Sequence, residues 1–123
     1  MRLMASTKNE KFAAEDRDGR LVTMSKKSWG HVIKGHPEMA GQEGIICLTI
    51  NDPDYIVRSP QKPRHPSGER YVLCRYEPTI RKSRPYVYVP VEYSPTGNWV
   101  PSAYLDPLPP RGEIVFVRLV HDR

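Results

Sequence analysis

The stretch Tyr86-Val87-Tyr88-Val89-Pro90-Val91-Glu92-Tyr93 alternates with a period of two, and Val87, Val89, Val91 and Tyr93 point one way along an extended chain. It reads as a strand with a proline in its middle. Proline cannot donate to a ladder, so Pro90 implies an edge or a bulge there. Upstream, Arg70 to Tyr76 is β-branched and aromatic enough to be a second strand, and Tyr55-Ile56-Val57 a short third. Between those two, Ser59 to Gly68 holds Pro60, Pro63 and Pro66 and reads as an extended, basic loop. Downstream, Ser94-Pro95-Thr96-Gly97-Asn98 is a turn, Trp99 to Leu105 the next strand and Ile114 to Leu119 the last. Pro101 sits inside one of these and again implies an edge or a bulge.

The N-terminal half has a different period. Phe12 to Met24 reads as two short extended pieces around Asp16-Arg17-Asp18-Gly19, a hairpin signal. Ser25 is a suitable N-cap for a helix through about Gly35. At about 100° per residue, Trp29, Val32, Ile33 and His36 cluster on one side of it, and His31, Lys34 and Gly35 on the other. Pro37 stops or resets the backbone. A second helix is predicted from about Ala40 to Ile50, with Ile46, Leu48 and Ile50 partly inward, ending before the turn Asn51-Asp52-Pro53-Asp54. The class is therefore α+β: a hairpin and two helices packed on a four- to five-stranded antiparallel sheet. Residues 1–10 read as a flexible arm and 11–123 as a single domain.

Composition narrows the classes further. A chain of 123 residues is about one domain. Its longest apolar run, Ile45-Ile46-Cys47-Leu48, is far short of the ~20 residues of a spanning helix, so no membrane partner is expected. The N-terminal MRLMASTKNE lacks the apolar stretch of a signal peptide. Two cysteines, Cys47 and Cys74, make neither a disulfide framework nor a metal cluster, which fits a reducing, cytoplasmic setting with no cofactor. His31 and His36 are five apart rather than the i, i+4 spacing of a zinc helix, so no metal site is expected.

The net charge of +5 is concentrated. Between Ile56 and Pro85 lie eight basic residues (Arg58, Lys62, Arg64, Arg70, Arg75, Arg81, Lys82 and Arg84) against two acids, Glu69 and Glu77. A one-sided arginine-rich cluster is the footprint of a phosphate-bearing partner, because the guanidinium fork matches phosphate oxygens in pairs. A solvated loop that keeps the protein soluble would carry the same charge. Arg70 and Arg75 fall on opposite faces of their strand, and either is able to reach a phosphate held on the sheet. In the strand after Asn98, Trp99, Pro101, Ala103 and Leu105 share one face, while Val100, Ser102 and Tyr104 share the other. With Trp99, Ala103 and Leu105 under the helices, Ser102 and Tyr104 present two hydroxyls on the open face, which is also what an ordinary solvated sheet face looks like. Histidine is the natural proton carrier near neutral pH. His31 lies on the polar side of its helix, as a surface residue would, and His36 at the helix end, as a capping histidine would.

These residues carry a resemblance. The run Asp18-Gly19-Arg20-Leu21-Val22, then Ser25-x-x-Ser28-Trp29-x-His31-Val32-Ile33-x-x-His36-Pro37-Glu38-Met39, resembles the opening of the phage-associated PBECR domains, relatives of the barnase, EndoU, colicin-nuclease and RelE group. Asn51-Asp52-Pro53-Asp54-Tyr55-Ile56, Tyr71-Val72 and Ser102-Ala103-Tyr104 are similar to that family too. The resemblance implies helices packed on a curved antiparallel sheet and a metal-independent endoribonuclease acting on RNA, a toxin or phage-linked effector with an acidic antitoxin-like or immunity-like partner. It implies His31, His36, Arg70, Ser102 and Tyr104 as catalytic residues, with His31 as base or acid and His36 as its partner or orienter, without deciding which histidine is base and which acid. Lys34, Arg58, Arg64, Arg75, Arg81, Lys82 and Arg84 are the candidate phosphate contacts. The competing expectation is a module of the same fold that binds nucleic acid or protein without turnover.

Overall fold

The computed structural model describes residues 9–118, so most of the predicted arm, Leu119 and His121 lie outside the described residues. Its elements follow local chemistry. Strand β1 (Glu10–Glu15) and strand β2 (Leu21–Ser25) form the expected hairpin. At its turn Gly19 takes φ +84°, a conformation that costs glycine nothing. Asp16 holds that turn: Oδ1 accepts the N–H groups of Asp18 and Arg20, each at 2.9 Å. Helix α1 (Lys26–Gly35) begins at Ser25, whose hydroxyl accepts the Ser28 N–H at 3.0 Å, and buries Trp29 and Val32. A single 3₁₀ turn, Pro37–Met39, follows.

Helix α2 spans Glu43–Asn51. It starts three residues later than the sequence predicts, because Pro37 seeds the 3₁₀ turn and Gly41 bends the chain at φ +78° before the helix opens. Ile46, Thr49 and Ile50 are its buried positions, and Leu48, expected to point partly inward, is exposed.

The remaining strands are β3 (Tyr55–Arg58), β4 (Glu69–Tyr76), β5 (Tyr86–Ser94), β6 (Gly97–Trp99), β7 (Tyr104–Asp106) and β8 (Ile114–Val117). All eight join one sheet in the order β1-β2-β6-β5-β4-β3-β8, with β7 also on β5. The α+β class stands, but the sheet has eight strands rather than four or five, and it is mixed rather than antiparallel. The hairpin is not a separate layer: β2 meets β6 in parallel at Thr23 and Trp99, extending the sheet.

Pro90 and Pro101 explain a second correction. The predicted strand Trp99–Leu105 is two strands, broken where Pro101 interrupts the ladder. Strand β6 pairs with Glu92–Ser94 and β7 with Tyr86–Tyr88 on the same edge of β5. Pro90 falls in the interval between them, opposite Val72 of β4, where a missing donor breaks no rung on that edge. The break also resets the alternation. Val100 is buried in the core, and Trp99 pairs with Glu92 on the far side from it. Ala103 and Leu105 are buried as expected.

The core lies between the helices and one face of the sheet. Leu73, Val87, Val89, Val91 and Leu105 pack there with Trp29, Val32, Ile46 and Ile50. The register of β4 on β5 sets Arg70 opposite Glu92, Val72 opposite Pro90 and Cys74 opposite Tyr88, all on the other face. Burial pushes the Cys74 thiol and the Tyr88 and Tyr93 phenols up from their ordinary values, with Asp54 and Asp106 adding to Cys74, Asp106 to Tyr88 and Asp16 to Tyr93. The folded state therefore keeps protons that the unfolded chain releases. This contribution is complete below the ordinary thiol value of 9.0 and is lost as pH rises past it and past the phenol value of 10.0. The urea midpoint is expected to fall between roughly pH 9 and 11, and a flat midpoint across that window would contradict the burial of these groups.

Candidate active site

The face of the sheet away from the helices carries a cleft of about 410 Å³. Its floor is Arg70 and Val72 of β4 with Tyr88 and Pro90 of β5. Ser59, Pro60 and Gln61, from the proline-rich loop, form one wall, and Ser102, Tyr104, Pro110 and Arg111 line the rest. The loop is tied to the floor, since Ser59 N–H donates to the Arg70 carbonyl at 2.9 Å.

Three of the five catalytic candidates line this cleft, and a fourth, His36, touches one of the three. Arg70, Ser102 and Tyr104 line the cleft directly. His36 adjoins it through Tyr104: the two rings stack at 5.4 Å between centroids with 28° between planes, and Tyr88 also packs on Tyr104, at 5.3 Å. The end of α1 sets this contact, because the His36 N–H closes the last helical turn on the Val32 carbonyl and Pro37 then turns the chain away. Nδ1 of His36 lies 3.8 Å from Glu38 Oε2, which leaves the opposite ring nitrogen toward other partners. Burial and Asp106 push the Tyr104 phenol up, while nearby Arg70 acts the other way, so Tyr104 is an O–H donor at neutral pH.

His31 is not brought to this cleft. It is exposed on α1, beside Gly30 and before Lys34, and lines no part of the cavity. Nor are most of the expected phosphate contacts. Arg75 points to the helix-covered face, where Nη1 donates to the Asp52 carbonyl at 2.9 Å and ion pairs join it to Asp52 and Glu77. Of the two arginines of β4, it is Arg70 that faces the cleft. Arg58 pairs with Glu69 and Glu113 and lies over the Tyr71 ring. Lys34, Arg64, Arg81, Lys82 and Arg84 are exposed and outside the cleft lining. The charged segment is thus partly compensated by its own carboxylates.

Two neighbours of the cleft, Glu92 and Arg111, were not singled out from the sequence, whereas Tyr88 was, with Tyr71 and Tyr86, as a base-stacking candidate. Glu92 is 2% exposed, and its Oε2 accepts Arg70 Nη1 at 2.8 Å while its Oε1 accepts the Arg64 N–H at 2.9 Å. Its place on the polar side of the alternating Tyr86–Tyr93 stretch, directly across from an arginine, was the available signal. Arg111 lines the cleft from a segment with no regular pattern, and Tyr88 Oη donates to the Leu108 carbonyl at 2.6 Å, fixing that segment as a wall.

A second cleft of about 210 Å³ opens on the helix-covered side between the hairpin turn and β8. Arg17 stacks over Phe116 at 3.8 Å and Arg20 over Tyr93 at 4.0 Å. Asp16 Oδ2 accepts Arg20 Nε at 2.8 Å and the Tyr93 hydroxyl at 2.9 Å. With Oδ1 also engaged, its carboxylate is fully committed to the fold, so this cleft is a clasp closing the hairpin onto the sheet. Among the described residues, no group of three or more metal-ligating side chains is gathered, and no helix is long and apolar enough to cross a membrane. Comparison with family models, with curated proteins and with solved structures finds no match to this chain.

Proposed function

We propose that the cleft binds an RNA phosphodiester and that the protein is a metal-independent endoribonuclease of the PBECR kind. The observation that supports this reading is the convergence on one cleft of an arginine, a serine and a tyrosine, with a histidine stacked on that tyrosine, from three separate parts of the chain. Such groups suit transesterification. A base takes the proton of the ribose 2′-hydroxyl, whose oxygen attacks the adjacent phosphorus. The 5′-oxygen leaves as it gains a proton, and a 2′,3′-cyclic phosphate remains. In this reading His36 is the proton carrier, held against Tyr104. Arg70 and the Ser102 and Tyr104 hydroxyls stabilise the charge that develops on the phosphoryl oxygens. Tyr104 offers aromatic surface for an unpaired base.

The test is incubation of the purified protein with mixed RNA in EDTA. Fragments ending in 2′,3′-cyclic phosphate are expected, and their absence at high enzyme concentration would refute the assignment. A specific observation favours a second reading, an RNA-binding module without turnover: His31 stands outside the cleft and Arg70 is already paired with Glu92. That reading expects retention of RNA without cleavage, weakening steeply with salt. An acidic protein partner accompanies either reading, so finding one does not separate them.

A further inference from the structure

We propose that Glu92 is the positioning residue of the cleft, one carboxylate that fixes both the Arg70 guanidinium and the proline-rich loop that forms the facing wall. The inference rests on the reading of the cleft as an RNA site, and it assigns the part of that site which carries no exposed chemistry.

The geometry is unusually economical. Glu92 and Arg70 are register partners on adjacent strands, so their side chains meet without any loop adjustment. Oε2 takes Arg70 Nη1 and Oε1 takes the main-chain N–H of Arg64, in the middle of the loop that Ser59 opens. Ser59 N–H in turn donates to the Arg70 carbonyl. The first half of the loop is therefore pinned to the Arg70–Glu92 pair at its start and at its middle, and its residues 59–61 line the cleft. Within the loop, Gly68 N–H and Ser67 N–H close onto His65, and a side chain at Gly68 would sit 3.0 Å from the Tyr93 carbonyl oxygen. The loop thus has one arrangement, set beside β5.

A buried ion pair of this kind adds little net stability over an apolar pair, because desolvation offsets the attraction. What it adds is orientation. A guanidinium is a planar fork, and fixing one arm fixes the direction of the others. Arg70 Nε is buried and has no acceptor among the described residues.

The experiment uses Glu92→Gln in the full chain. The amide keeps the volume but presents one acceptor and one donor, so it cannot receive both N–H groups. Three readouts are expected to move together. Trypsin should cut after Arg64 about tenfold faster at a temperature where the wild type is folded. The Arg70 Nη1–H protons, held by Glu92 in the wild type, should exchange with solvent faster. Affinity for a 2′-O-methyl oligoribonucleotide, which cannot be cleaved, should fall about tenfold, the scale of one charge-assisted hydrogen bond. Circular dichroism and the urea midpoint report whether the variant is folded; if it is not, Glu92→Asp, which keeps the charge and shortens the reach, takes its place in the same three measurements. An unchanged cutting rate or an unchanged Arg70 exchange rate would overturn the proposal whether or not the protein binds RNA. A wild type that fails to bind the oligonucleotide would instead defeat the RNA reading, while the first two readouts still decide the positioning role. A wild type that binds, with a variant that binds equally well, would also overturn it.

Discussion

Replacing His36 with alanine is expected to lower RNA cleavage by roughly 10²–10⁴-fold, the usual contribution of a general acid or base, with the fold retained. The backbone role of this residue survives the change, since it is the His36 N–H, not the ring, that closes helix α1 on Val32. The ring is half-exposed and touches the fold through Tyr104 and Glu38, so little packing is lost. His31→Ala is expected to change the rate by no more than a few-fold, because His31 is exposed and lines no part of the cleft. Single-turnover rates on one RNA substrate in EDTA, for the two variants side by side, make the comparison. Wild-type cleavage by the His36 variant would remove the proposed proton carrier. A large loss at His31 instead would mean that substrate runs over α1 rather than along the sheet.

That contrast shows where sequence was informative. His31 and His36 belong to one short motif, and the sequence reading puts His31 first, with His36 as its partner or orienter. Tertiary placement separates them: one ends a helix against a strand residue 68 positions later in the chain, and the other faces away. Local signals were strong where the cause is local. The Ser25 cap, the Asp16–Gly19 turn and the alternation of β5 each follow from a few neighbouring residues. Signals failed where the cause is distant. The parallel bridge of β2 to β6 joins residues 76 apart and leaves no period in either segment. Pro101 was visible as a problem, but whether it would bulge a strand or split it depended on Pro90 lying opposite the gap. The charge count misled in the same way. Eight basic residues in one segment read as a phosphate face, yet Arg58, Arg70 and Arg75 each have a carboxylate partner. Glu92 in particular sits in a valine-rich strand, where nothing but the cross-strand register reveals its arginine.

Leu73→Ala is expected to cost about 2–5 kcal/mol of stability, the range for truncating a leucine in a packed core. Leu73 is 1% exposed, between Ile56 of β3 and Val89 of β5, and packs into the core that Ile46 and Ile50 share. It also borders the cleft beneath the hairpin turn, so the space left by three carbons adjoins existing space rather than collapsing, which places the cost toward the upper end. Total stabilities of about 5–15 kcal/mol make such a loss large, and a urea midpoint shift at unchanged slope measures it. The neighbouring Val72 points through the sheet the other way, onto the floor of the candidate active site. Val72→Ala is expected to cost only about 1 kcal/mol, since the side chain is half-exposed and surface-side truncations are mild. Its effect should appear in RNA affinity instead. Two adjacent residues thus separate the two faces of one strand: one variant loses stability and keeps binding at temperatures where it is folded, and the other does the reverse. The reverse order of costs would mean that β4 is turned over relative to the helices, and Arg70 would then leave the cleft with Val72.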